Sequence, residues 1–169
     1  MKKLLVAGGI IGMLTASVIG CGKEEVPDTS QTVMTGEESP EELFNDYHEP
    51  AIRMFFDVFE EYDQLFGDAA NNPALLQDES WYASVGRKTG ELESVVEHLE
   101  EYDGPVPDEY QDAYAELQEG TKYLREMVDK TSWAVAPLAE GKSVRYDQLV
   151  EISDNCYNYM LTAKEKLDY

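Results

Sequence analysis

The chain has little cysteine, little positive charge and none of the short motifs that mark common enzyme classes. Its 169 residues include two cysteines and 13 lysines and arginines, against 35 aspartates and glutamates. So few basic residues argue against nucleic acid as a partner, because phosphate contacts depend on lysine and arginine. Two cysteines exclude a framework of several disulfides, and the chain is long enough to bury a core without one.

Catalytic and cofactor motifs are also missing. There is no Gly-x-Ser-x-Gly turn, no phosphate-binding glycine-rich loop, no His-Glu-x-x-His pair and no dinucleotide fingerprint. A helical di-iron site needs Glu-x-x-His, but Asn45 precedes His48 and Val95 precedes His98 at that spacing. We therefore expect no catalytic residue and no cofactor, and an envelope enzyme without a recognisable motif is the least favoured alternative.

The first part of the chain has the features of an export signal. Lys2 and Lys3 precede an apolar stretch, residues 4–19, which is shorter than the ~20 residues that a spanning helix needs. Its end, Val18-Ile19-Gly20-Cys21, resembles the lipobox of bacterial lipoprotein precursors. The resemblance implies transfer of a diacylglyceryl group to Cys21, cleavage between Gly20 and Cys21, and palmitate-type acyl chains that anchor the protein at the extracytoplasmic face of the cell membrane.

Three segments are predicted. Residues 1–20 form the lipoprotein signal peptide, and residues 21–39 contain the lipidated cysteine and a polar tether with too few bulky side chains to fold. Residues 40–169 form the domain. Removal of residues 1–20 takes away Lys2 and Lys3 but no acidic residue, so 11 basic and 35 acidic side chains remain, a formal charge of −24. Cys156 then has no partner for an internal disulfide, and its helical surroundings predict a buried thiol.

Four amphipathic helices are predicted, at about 40–67, 73–103, 107–140 and 143–168. Ser39 and Glu42 have the spacing of a capping box, Gly67 is expected to end the first helix, and Pro50 to kink or divide it. No stretch alternates as a strand does. The predicted fold is all-α, an antiparallel up-down-up-down four-helix bundle. The apolar stripe of its first helix comprises Leu43, Phe44, Tyr47, Ala51, Met54, Phe55, Val58, Phe59, Tyr62, Leu65 and Phe66.

The second helix carries a candidate binding site. Small residues recur on one side of it, although each interior glycine costs ~1 kcal/mol of helix stability relative to alanine. Two interpretations stay open: a neighbouring helix packs tightly against the glycines, or the region borders a groove with an aromatic wall and a cationic rim. The candidate residues are Trp81, Tyr82, Gly86, Arg87, Lys88 and Gly90.

A second candidate is an acidic pole, where the end of the second helix is expected to meet the starts of the first and third. Acidic side chains in a last helical turn oppose the macrodipole at ~0.3–1 kcal/mol each, and positions that break a local rule are candidates for function. Such carboxylates suit a divalent cation, but solvated helix faces often carry similar charge and no calcium-loop motif is present. The acidic pole comprises Glu41, Glu42, Glu100, Glu101, Asp103 and Asp108.

Taken together, these features predict a membrane-anchored lipoprotein of the cell envelope. Its helical domain is expected to bind an envelope protein or a small ligand without catalysing a reaction, while the acylated Cys21 binds the lipid bilayer. A carboxylate-based protein that binds divalent cations is the alternative. Nucleic acid is not an expected partner, because the mature chain is so strongly acidic.

Overall fold

The structure, a computed structural model, describes residues 38–136, 138, 141 and 144–169; the predicted signal, Cys21 and nearly all of the predicted tether lie outside this part. Four long helices follow one another: α1 Pro40–Asn71, α2 Glu79–Glu100, α3 Gln111–Val135 and α4 Val144–Leu167. Short 3-10 helices, Pro73–Gln77 and Asp108–Tyr110, precede α2 and α3. No described residue lies in a strand, so the all-α prediction is confirmed. None of the described helices combines the length and apolar character that crossing a membrane requires.

The start of α1 is fixed by the predicted capping box. The Glu42 backbone N–H donates to Ser39 Oγ at 3.1 Å, and the Ser39 backbone N–H donates to Glu42 Oε2 at 2.8 Å. Pro40 occupies the first turn, where its missing N–H costs nothing. The capping box thus pairs two backbone N–H groups at the helix start that have no partner within the helix.

The predicted end of α1 at Gly67 is wrong, and Pro50 does not divide the helix. The helix continues through Pro50 without division, because buried side chains on both sides of it, His48 and Ile52, hold one continuous face in the core. Gly67 lies inside the helix, which ends at Asn71. The apolar face extends past the glycine to Ala69, and the Asn71 side-chain amide donates to the Gly67 carbonyl at 3.0 Å. Tertiary packing overrides both local signals.

All four helices contribute buried side chains to one core. The edges of the predicted stripe are less buried than its centre: Leu43 is 41% and Met54 42% exposed, because their neighbours Phe44 and Phe55 take the central positions. Cys156 is buried, as predicted, and burial raises the pKa of its thiol. The largest fully buried side chains of the core are Phe44, His48, Ile52, Phe55, Leu92, Val95, Val96, Leu117, Leu124, Met127, Leu149 and Met160.

The helices pack unevenly against one another. The backbones of α3 and α4 make the most extensive contact, followed by α1 with α2 and α2 with α3, whereas α1 and α4 hardly approach each other. Gly120 explains the close α3–α4 approach, because a Cβ atom there would lie 2.8 Å from Met160 Sδ and 3.2 Å from the Met160 backbone nitrogen. Side chains, rather than close backbones, therefore join α1 to α4.

Contacts at the helix ends relate the four helices to one another. The Tyr47 hydroxyl on α1 donates to the His98 carbonyl near the end of α2 at 2.5 Å. The Tyr110 hydroxyl, just before α3, donates to Glu41 Oε1 at 3.1 Å. After α4, the Tyr169 hydroxyl donates to Asn45 Oδ1 at 2.7 Å. These hydrogen bonds link α1 to the last residues of α2, to the residue just before α3 and to the residue that follows α4.

Candidate functional site

The predicted site on α2 has an open surface. Gly86 and Gly90 are exposed, and a Cβ atom added at either would meet no atom within 4 Å. The interpretation that a neighbouring helix packs tightly against these glycines is therefore wrong. The buried face of α2 is formed instead by larger side chains such as Val85 and Leu92, and the glycines lie beside that face.

The two aromatic residues of this predicted site hold the start of α2 in place. Trp81 is buried, and its indole N–H donates to the Leu65 carbonyl on α1 at 2.9 Å. The Tyr82 hydroxyl donates to the Leu76 carbonyl in the preceding 3-10 helix at 3.1 Å. The polar group of each ring is thus engaged within the protein.

The basic pair of the predicted site is largely neutralised by neighbouring carboxylates. The Lys88 side chain is only 7% exposed, and its Nζ lies 2.5 Å from Glu61 Oε2 on α1 and 2.7 Å from Glu91 Oε2. The hydrogen bonds that Lys88 donates to Glu61 and, with a smaller effect, to Glu91 raise the pKa of the Lys88 ammonium. Arg87 is mostly exposed and pairs with Glu91 at 3.0 Å. The predicted cationic rim is therefore reduced to Arg87.

Two of the six predicted residues, Tyr82 and Gly86, line a groove of about 320 Å³ between α2 and α3. None of its lining residues is charged, so the groove gives no electrostatic preference for a charged ligand. The remaining lining residues are Val85, Thr89, Thr131, Ser132, Val135 and Ala136.

Three of the six carboxylates of the acidic pole are engaged in separate local contacts. Glu42 belongs to the capping box, where hydrogen bonds from the Ser39 backbone and then its side chain lower the pKa of the carboxyl. Glu41 accepts from Tyr110, and Glu100 pairs with Arg125 at 2.7 Å. Within the described chain, no three acidic, histidine or cysteine side chains come together in a way that suits a metal ion. Glu101, Asp103 and Asp108 are exposed.

An aromatic cluster near the start of α1 surrounds a buried histidine. His48 is fully buried, and its Nδ1–H donates to the Phe44 carbonyl at 2.8 Å. Nε2 therefore carries the lone pair, and no described group donates to it. The rings of Phe44 and Tyr102 lie 4.1 Å and 4.3 Å from the imidazole. Burial is the main cause that lowers the pKa of His48 to about 4, so the ring is neutral at pH 7.

A groove of about 690 Å³ lies between α1 and α4, the helices whose backbones hardly approach each other. We call it the α1–α4 seam. Its floor is aromatic: the rings of Phe56 and Phe59 lie 5.6 Å and 5.3 Å from that of Tyr157. Its rim is acidic, with carboxylates on both helices. A smaller pocket extends the groove toward Tyr146. The rim carboxylates are Glu60, Asp63 and Asp154.

The rim of the seam is electrostatically unbalanced. Glu60, Asp63 and Asp154 are exposed, and none forms an ion pair with a described residue. Tyr157 is 38% exposed although its ring packs on the floor. At the end of the seam, Lys164 Nζ lies 4.6 Å from the centroid of the Phe56 ring. The seam therefore combines partly exposed aromatic surface with three carboxylates that pair with no described basic residue.

Comparisons with protein-family models, curated proteins and solved structures find no significant match. The function must be inferred from this chain's own side chains. The sequence prediction did not single out the seam, although Phe56 gave a signal: it lies outside the apolar stripe, directly after Phe55, among acidic residues. In the structure Phe56 is half-buried and packs against the core, and it also lines the seam.

Proposed function

We propose that this protein is a lipid-anchored lipoprotein of the extracytoplasmic membrane face, and that its helical domain binds a ligand or an envelope protein at the α1–α4 seam without catalysis. The observation that carries the proposal is the partly exposed ring surface of Phe56 and Tyr157 beneath three carboxylates that have no ionic partner in the described chain. A groove of about 690 Å³ falls within the roughly 300–1,000 Å³ of typical ligand sites.

The lipid anchor is supported by Val18-Ile19-Gly20-Cys21 at the end of a short apolar stretch that follows two lysines. With ~0.8 kcal/mol per buried CH₂, two acyl chains on Cys21 hold a domain firmly at a bilayer. The polar segment that follows would leave the domain free to present the seam to a ligand.

We also propose that α1 to α4 form an antiparallel up-down-up-down four-helix bundle. Support comes from the contacts that place the start of α1 beside the end of α2, through Tyr47 and His98. The pair Trp81 and Leu65 links the opposite ends of the same helices. Lys166 near the end of α4 pairs with Glu116 near the start of α3 at 2.8 Å. In each of these pairs a residue near the start of one helix contacts a residue near the end of its neighbour, as antiparallel packing requires.

The first test concerns the anchor. In bacteria given labelled palmitate, the full chain is expected to incorporate the label, and the mature N-terminal peptide to begin with acylated Cys21. Cys21→Ser should lose the label completely, because serine lacks the thiol that accepts the diacylglyceryl group. Cys156→Ala is the matched control and should keep the label, since the Cys156 side chain is buried. Label retained by Cys21→Ser would contradict the lipid anchor.

The second test locates the binding surface. The photoreactive residue p-benzoylphenylalanine is placed at Tyr157 in the seam or at Glu97, an exposed position on α2. Irradiation of living cells is expected to give a discrete adduct, detected by mass, from position 157 and none from position 97. The reason is proximity, since only position 157 lines the seam. Equal labelling from both positions, or none from 157, would count against binding at the seam.

A further inference from the structure

We propose that the α1–α4 seam recognises a linear aliphatic polyamine, a molecule in which ammonium groups alternate with short methylene segments. This inference rests on the binding function proposed above and names the chemistry of the ligand. It follows from the aromatic floor, from the arrangement of the rim carboxylates, and from an ammonium group of the protein that already lies on the floor.

The aromatic floor suits both parts of such a ligand. Phe56, which is half-buried, and Tyr157, which is 38% exposed, present ring surface on which methylene segments lose contact with water. The faces of the same rings attract a cation within ~6 Å of their centroids. Lys164 makes this contact within the protein, with Nζ 4.6 Å from the Phe56 centroid. The Phe56 ring therefore already binds one alkylammonium group, that of Lys164.

The rim supplies negative charge at intervals along the groove. Glu60 and Asp63 are three residues apart on α1, so they lie on one side of the helix, about 5–6 Å apart at Cβ. Asp154 faces them from α4. Ammonium groups separated by three or four methylenes span a similar length. One ligand molecule can thus approach carboxylates on both helices while its methylenes lie on the rings.

A compact inorganic cation fits the seam less well. The described side chains provide no cluster of three ligands that could hold a metal ion, and an inorganic ion gains nothing from ring surface. The mature chain nonetheless carries a formal charge of −24, which attracts any cation without specificity. A decisive experiment must therefore separate recognition at the seam from this general attraction.

The test uses the full chain in a nonionic detergent at physiological salt, with titration calorimetry. Spermidine is compared with hexaamminecobalt(III), which has the same charge of about +3 but no methylenes. We expect spermidine to saturate a single site and hexaamminecobalt(III) to bind at least about tenfold more weakly, because it lacks contact with the rings. Exposed ionic attraction alone would be largely screened at this salt concentration.

Two double variants with equal loss of charge locate the site. Asp63→Asn with Asp154→Asn is expected to weaken spermidine binding about tenfold, since two carboxylate contacts are lost. Glu97→Gln with Asp112→Asn removes the same charge from α2 and α3 and should change the affinity less than about twofold. All four positions are exposed, so helical circular dichroism should be unchanged.

Removal of the internal cation should have the opposite effect. Lys164→Met removes the ammonium group that competes with the ligand at Phe56, together with one positive charge beside the seam, and is expected to tighten spermidine binding by about twofold to fivefold. Lys122→Met on α3 removes one positive charge elsewhere and should leave the affinity within about twofold.

The inference is wrong if spermidine gives no saturable binding, if hexaamminecobalt(III) binds equally well, or if the two double variants weaken binding equally. In those cases the acidic surface attracts cations diffusely or not at all. A position-specific adduct at Tyr157 in cells would then still support binding at the seam, with a ligand of other chemistry. If both the spermidine binding and the Tyr157 adduct are absent, the seam is not a binding site.

Discussion

His48→Phe is expected to stabilise the protein at neutral pH and to stabilise it further as the pH falls from 6.5 to 4, the window between the ordinary and folded pKa values of this histidine. At pH 7 the wild-type imidazole has a buried Nε2 without a described partner. A buried polar atom without a hydrogen bond costs roughly 1–3 kcal/mol. Phenylalanine removes that atom and keeps an aromatic ring against Phe44 and Tyr102.

The pH dependence follows from the lowered pKa of His48. Above pH 6.5 the imidazole is neutral in both states. Between pH 6.5 and about 4 the unfolded chain binds a proton that the folded protein does not, so the free energy of unfolding falls as the pH falls. A shift of this size corresponds to roughly 3 kcal/mol over the window. The variant has no such group and should not lose this amount.

Urea unfolding at several pH values between 4 and 7.5 measures this difference. The many carboxylates titrate alike in wild type and variant, so their contributions cancel in the difference between the two curves. His98→Gln is the matched control and should keep most of the wild-type slope, because burial, and not the charge of His98, is the main cause that lowers the pKa of His48. His48→Leu repeats the measurement with a smaller side chain. Parallel curves for the wild type and both His48 variants would show that His48 is not the group responsible.

Gly120→Ala is expected to destabilise the protein, whereas Gly86→Ala should stabilise it. Both changes raise helix propensity by ~1 kcal/mol. At Gly120, however, the new Cβ would lie 2.8 Å from Sδ of the fully buried Met160 and 3.2 Å from the Met160 backbone nitrogen, which cannot rotate away as a side chain can. Overpacking of this kind costs about 1–3 kcal/mol, which offsets or exceeds the gain. At Gly86 no atom lies within 4 Å, so the propensity gain remains.

Chemical denaturation of the two variants should therefore give free energies of unfolding that differ by about 2 kcal/mol, with opposite signs relative to wild type. The source of the strain is tested in a Met160→Ala background, which removes the Sδ and Cγ atoms nearest to the new Cβ. Gly120→Ala should cost less there, and the difference is the coupling energy between the two sites. A stabilising effect of Gly120→Ala in the wild-type background would refute the close-packing role.

Local features of the fold could be predicted from sequence where short-range chemistry decides them. Ser39 and Glu42 contain the whole capping box within four residues, and the helical spacing around Cys156 was sufficient to predict its burial. Gly67 misled the prediction of the α1 terminus, because the contacts of Ala69 with the core are made across the fold. A single helix pattern carries no information about such distant contacts.

The candidate sites were harder to predict for the same reason. The glycines of α2 indicate a close approach only if a helix lies opposite them, and the sequence does not say which glycine has that neighbour; Gly120 does and Gly86 does not. The seam depends on the distance between α1 and α4, which no periodicity encodes. Lys88 was predicted as a free rim charge because its partner Glu61 is 27 residues away, on another helix.

Motion that separates α1 from α4 disturbs few backbone contacts, whereas separation of α3 from α4 would disturb the most extensive contact of the described chain. Partial opening of the domain is therefore expected to begin at the seam, with α1 and α2 moving as one unit and α3 and α4 as the other. A ligand held by Asp63 on one unit and Asp154 on the other would oppose this opening. Occupancy of the seam would thereby regulate how rigid the domain is.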